Sequence, residues 1–186
     1  MLQRILAITL ALLTGIAAAQ IVDGVIADGE YANDLLHEET GTHMYWTIEG
    51  DTLLFAMRIG ARGWSGVGFG TVIDNRKAGF DQYLFAVEDG EIVAYDMYQE
   101  DARGEPVLDT DAGGSASLLE VAATHESELW TVEFSRLLDT GEATDVAIVP
   151  GEARIVAFAF GDTMDVGRKH EKSSRGGAYY IEGVTF

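Results

Sequence analysis

Beyond residue 20, the apolar residues of this chain recur at every second position, a period that admits strands and disfavours helices. In His43 to Glu49, Met44, Trp46 and Ile48 share one face, while His43, Tyr45 and Thr47 share the other. Leu53, Phe55, Met57 and Ile59 repeat the pattern, and Glu49-Gly50-Asp51 between the two runs reads as a tight hairpin turn. A second hairpin is predicted from Tyr83–Val87 and Ile92–Tyr98 about Asp89-Gly90, residues that tolerate the positive φ of such turns. A third couples Leu118–Ala123 to Glu128–Phe134 around His125 to Ser127, with Trp130, Val132 and Phe134 pointing inward. Ile155 to Phe160 is apolar on both faces, as suits a central strand or one beneath an apolar ligand. Helical signals are weak, single turns at Ser135–Leu138 and Gly29–Leu36. Asp101 to Ser117, rich in Gly and Asp, reads as the longest loop. Nine or ten short strands separated by turn residues predict an all-β, antiparallel sandwich.

The first 19 residues read as a leader: Arg4, then an apolar core from Ile5 to Leu13, then Ala17-Ala18-Ala19 before an expected cleavage at Gln20. Residues 20–186 are one domain on length, and the mature protein is expected to be secreted or periplasmic, without a membrane span. The formal net charge of -19 opposes nucleic acid and anionic membranes, whose phosphates need clustered cations. It favours solubility and docking to a basic partner. With no cysteine, disulfides, thiolate metal sites, a catalytic thiol and covalent c-type haem attachment are excluded.

Four histidines, His37, His43, His125 and His170, are too scattered for a chelate built from imidazoles. His43 reads as structural, His37 and His125 as exposed loop residues. His170 differs, because it sits in a polar loop between two strand-like runs, Ile155–Gly161 and Ala178–Ile181. An imidazole so placed suits an axial ligand of haem iron. Around it Arg168, Lys169, Lys172 and Arg175 form the dense basic cluster of an acidic chain, either to meet haem propionates or to balance neighbouring carboxylates. The segment GWSGVGFG, Gly63 to Gly70, lacks the Lys and Ser/Thr of a phosphate loop; its spaced glycines expose one strand face to something flat, or permit tight packing under Trp64. Acidic groups at Asp74-Asn75, Asp109-Thr110-Asp111 and Asp162 to Asp165 offer oxygens to calcium, without a D-x-D-x-D-G loop. No nucleophile–histidine–acid arrangement stands out, so an enzyme is not expected.

In their order, DGVIADGEY (Asp23 to Tyr31), MYWTIEGDTLLFAM (Met44 to Met57), GWSGVGFG, KAGFDQYLFA (Lys77 to Ala86), GEIVAYDMY, EFSRLLDTGE and IVAFAFGD resemble the DOMON family, which includes haem-b cytochromes and sugar-binding modules. The resemblance implies an immunoglobulin-like sandwich of about nine to eleven strands. It also implies non-covalent haem b, with His170 as one axial ligand. The family's second ligand, a methionine four residues before an aspartate, corresponds here to Lys77, before Asp81; a neutral amine is the alternative ligand, and Met97 and Met164 are fallback sulfur donors. Trp64, Phe69, Phe85 and Phe158 are the candidate walls of the pocket, Arg168 and Arg175 the candidate propionate contacts. Two functions follow. One is a b-type haem domain passing single electrons to a redox partner protein. The other is a haem-free module holding a sugar or another small ligand against Trp46, Trp64, Tyr83 and Tyr95.

Overall fold

The computed structural model describes residues 22–71, 78–101, 104–168, 170 and 177–186. The expected leader, Lys77 and Arg175 lie outside them. Eleven strands follow in chain order: β1 (Asn33–His37), β2 (Thr42–Glu49), β3 (Thr52–Gly60), β4 (Ser65–Gly70), β5 (Phe80–Glu88), β6 (Glu91–Gln99), β7 (Val107–Leu108), β8 (Leu118–Glu126), β9 (Leu129–Leu137), β10 (Ala153–Phe160) and β11 (Gly177–Thr185). They make two antiparallel sheets, β1-β2-β3-β9-β8 and β11-β10-β4-β5-β6-β7, so the chain is the all-β sandwich its alternation predicts.

The inward set is aromatic. Phe55 of β3 stacks on Phe134 of β9 at 5.3 Å and meets Phe69 of β4 edge-on at 5.5 Å. Tyr83 of β5 lies 5.1 Å from Phe134 and 6.3 Å from Phe69. Each fully buried Phe stabilises by roughly 1.5–3 kcal/mol through lost water contact, so this cluster is the chief bond between the sheets. Predicted turns are found where the residues allow them: Gly50 at φ 62°, Asp89 at 51° and Gly90 at 88°. The β8–β9 turn uses Ser127 and Glu128, at φ 52° and 63°, where a sequence reading lacking a Gly or Asn cue misplaces it by about two residues.

Both predicted helical turns are corrected. Ser135 to Leu137 continue β9, because they pair with Thr52 to Leu54 of β3 and Arg136 is buried against Asp81 of the other sheet; residues 33–36 belong to β1, paired with β2. The helix among the described residues is α1 (Asp109–Ala112), inside the stretch expected to be a loop, and β7 also lies there. His37 and His125 are not exposed loop residues. His37 ends β1 and packs edge-on against Phe158 at 5.1 Å, and His125 on β8 stacks on Trp130 at 4.6 Å and reaches the Ala61 carbonyl at 2.9 Å.

Two cross-links set the ends of the sandwich. Buried Glu133 accepts from the backbone N–H groups of Gly24 (2.6 Å) and Val25 (3.0 Å) and from the Tyr31 hydroxyl (2.7 Å), tying the segment before β1 to β9. Burial, then the Glu133 hydrogen bond, drives the Tyr31 hydroxyl far above its ordinary range. At one end of β4, the stretch before it zips onto the stretch after β10: Gly63 N–H donates to Gly161 O (3.1 Å), Gly161 N–H to Trp64 O (2.9 Å) and Trp64 N–H to Thr163 O (2.9 Å). A Cβ on Gly63 would lie 2.1 Å from Thr163 O, so glycine is required by the closeness of the two backbones.

Candidate functional site, an apolar cleft on an outer sheet face

Strand β4 decides where a ligand can approach. Val67 and Phe69 point into the core, so Gly66 and Gly68 face outward at the middle of the six-stranded sheet. On the neighbouring strands the outward residues are Ala157 and Ala159 of β10, Ala178 of β11, and Phe80, Gln82 and Leu84 of β5. A Cβ on Gly66 would fall 2.3 Å from Leu84 Cδ2, and one on Gly70 would fall 2.3 Å from the Phe80 ring. The glycines therefore let β5 side chains lie down over β4. The product is a floor in which Phe80, Gln82 and Leu84 lie across β4 beside Ala157, Ala159 and Ala178.

Above this floor is a cleft of about 410 Å³, lined mainly by apolar atoms and within the ordinary range of small-molecule sites. Trp64 stands at one end, its Nε1 donating to the Arg168 carbonyl at 3.2 Å. That bond, with the Gly63–Gly161 zipper, positions the chain leaving β10, and Val166, Gly167, Arg168 and His170 form the wall on that side. Met97, Gln99, Glu105 and Pro106 form the opposite wall. Beside Trp64, Tyr95 packs on the same outer face and donates to Glu88; this bond and partial burial push its hydroxyl up to about 12.

Of the residues singled out in the sequence, the fold brings Trp64, Phe158, Arg168 and His170 to the cleft. Phe158 does so from beneath, since its ring stacks on Tyr179 at 5.1 Å within the inter-sheet core. Phe69 and Phe85 are not cleft walls: both are fully buried between the sheets, because period two turns them away from Gly68 and Leu84. Of the alternative sugar set, Trp46 and Tyr83 are also core residues, leaving Trp64 and Tyr95 on the outer face. Met97 lines the cleft, whereas Met164 packs against the core. Lys77 and Arg175 fall outside the described residues. Sequence reasoning missed Phe80, Leu84, Ala157 and Ala159; the signal was in the small residues of Ile155–Phe160 and in the outward apolar positions of β5.

The sequence profile of the DOMON domain matches residues 38–164. The chain belongs to the DOMON family. Among solved structures, the DOMON fold seen here is similar to the cytochrome b domain of pyranose dehydrogenase from Coprinopsis cinerea, at 12% identity, with a TM-score of 0.52 and 80% of each chain covered. At that identity the likeness concerns the fold. No curated protein matches this DOMON chain in sequence. The matched span stops at Met164, so His170 and the Arg168 side of the cleft stand beyond it.

Proposed function

We propose that this DOMON domain is an exported, non-catalytic b-type haem carrier that passes single electrons. The observation carrying the reading is that His170 lies on the wall of an apolar cleft whose floor is Phe80 and Leu84 laid over the glycines of β4, beside Ala157 and Ala159. A flat apolar macrocycle needs such a floor, and an imidazole beside it is the side chain that ligates its iron. When bound, haem supplies a reversible one-electron couple. The chain's own residues do the rest: Trp64, Leu84 and Ala157 exclude water, Arg168 offers a cation for a propionate, and His170 orients the cofactor. Lys77 is the second ligand by carry-over from the family motif, with Met97 the sulfur donor that already lines the cleft. The leader-like sequence of residues 1–19 supports export, and the fold's likeness to a cytochrome b domain supports the cofactor class. A charge of -19 favours a redox partner with a basic face and an association that weakens with salt.

The test is the visible spectrum of protein purified after growth with haem supplied. A Soret band that shifts on dithionite reduction is expected, and it should disappear in His170→Ala. Lys77→Ala should lose the low-spin signature and Lys77→Met retain it; the reverse response in Met97→Ala would move the second ligand to β6. A folded protein that stays colourless in excess haem ends the reading.

A further inference from the structure

A second constellation lies on the other face of β5 and β6, inside the sandwich. Asp81 and Asp96 point inward, and one carboxylate oxygen from each lies within 4.8 Å of one from Asp145 in the β9–β10 connection. Both inward carboxylates are held by one oxygen. Asp81 Oδ2 accepts from Arg136, from the Tyr83 hydroxyl (3.2 Å) and from Val146 N–H (3.2 Å). Asp96 Oδ2 accepts from the N–H (2.6 Å) and hydroxyl (2.7 Å) of Ser117. The other oxygen of each, Oδ1, is buried and accepts no hydrogen bond, while Asp145 and the Thr144 hydroxyl have only Asp109 within hydrogen-bonding reach. Asp81 is wholly enclosed, at 0% side-chain exposure. Buried Asp109 of α1 adds its charge to the group.

The charges do not balance. Arg136 is the one cation bonded to this group among the described residues, against Asp81, Asp96, Asp145 and Asp109. Burying uncompensated carboxylates costs several kcal/mol each, and buried polar atoms without partners point to an unseen proton, water or ion. The donors are all oxygen, with no nitrogen or sulfur, which selects a hard cation. Magnesium keeps several of its waters and so fits an enclosed site poorly; calcium takes six to eight oxygens at about 2.3–2.6 Å in irregular geometry. We propose that Asp81, Asp96 and Asp145, with Thr144 and Asp109 beside them, form a structural calcium site. Thr144 also lines a surface cavity of about 300 Å³ with Gly113, Gly114, Ser115 and Glu142.

Its position explains what calcium would do. Asp81 and Asp96 belong to the six-stranded sheet; the segment bearing Thr144 and Asp145 runs from β9 in one sheet to β10 in the other. Asp109 lies on the second crossover, from β7 to β8. One ion would join two of the three crossovers between the sheets to the back of the strands that floor the cleft.

The test needs no haem. Full-length protein is stripped with chelator and titrated with calcium by calorimetry, thermal melting and tyrosine-sensitised terbium emission, with Tyr83 as the donor nearest the site. One ion per chain is expected, with a melting rise of about 5–10 °C at a hundredfold excess over Kd. Asp145→Asn, which leaves the Asp81–Arg136 bond in place, should weaken calcium at least about tenfold with unchanged far-ultraviolet dichroism. Should that variant fail to fold, terbium emission from the wild type that saturates at one ion and is displaced by calcium carries the same weight. Absence of both binding heat and terbium emission overturns the site. So does a calcium response equalled by magnesium or undiminished in folded Asp145→Asn, since screening of an acidic surface would then suffice.

Discussion

Strand β5 presents two opposite surfaces. Its outward residues, Phe80, Gln82 and Leu84, help to make an apolar cleft, while its inward face holds Asp81 against Arg136 before returning to Tyr83 and Phe85. The usual order of a sandwich strand, apolar inside and polar outside, is thus reversed at one end of the molecule. Outside, apolar side chains over a glycine floor make a patch that a ligand can cover. Inside, carboxylates are retained where hydrophobic residues would pack more cheaply. Both departures from ordinary patterning fall at the two regions for which a ligand is proposed, as local rules are expected to yield at functional sites.

The two regions share a support, and removing it should have the largest effect. Phe134→Ala takes the stacked centre from between the sheets, and urea unfolding should show a loss of about 3–5 kcal/mol, with cleft and acid cluster failing together. Arg136→Met leaves the inner carboxylates without their guanidinium and should cost about 3–5 kcal/mol at pH 7.5 in chelator, recovering partly at pH 5. An effect independent of pH would show that Arg136 acts by packing alone.

In wild-type protein with chelator, acidity should act in an unusual direction. Burial, and after it the like charges of Asp145 and Asp96, outweighs Arg136 and pushes Asp81 up to about 7; burial also raises Asp96, and Asp109 reaches about 7. For a carboxyl raised on folding, the stabilising contribution is complete below about pH 4 and is lost as pH rises through 7. Melting temperature should therefore fall between pH 4 and 7.5, whereas ordinary paired carboxylates give the reverse slope. The outer face should respond more gently. Gly66→Ala forces Leu84 off the floor and should cost about 1–2 kcal/mol while reducing haem uptake several-fold, with the acid cluster untouched. The smallest stability change belongs to His170→Ala, within about 0.5 kcal/mol of wild type, yet this variant should abolish the Soret band.

Much of the fold was legible because its rules are local. Alternation from Met44 to Ile59, the turns at Gly50 and Asp89-Gly90, and the apolar Ile155–Phe160 run each correspond to an observed strand or hairpin. The helical turns at residues 29–36 and 135–138 failed because short polar stretches carry no period, and pairing with a neighbouring strand overrode weak propensity. Of the residues named for the candidate site, His170, Arg168 and Trp64 line the cleft, while Phe69 and Phe85 face the core, since aromatic character does not say which side of a strand stays open.

The chain alone determined a two-sheet antiparallel scaffold, an acidic and cysteine-free character, and a basic, histidine-bearing loop before the last strand. Tertiary structure decided which face of β4 and β5 stays open and which Asp residues meet. Asp81, Asp96, Asp109 and Asp145 are ordinary members of a long list of acids until two crossovers bring them together. Hydrophobic period and turn preference act over a few neighbouring residues, whereas the electrostatic cost of a buried carboxylate depends on partners tens of residues away, which only the packed sheets supply.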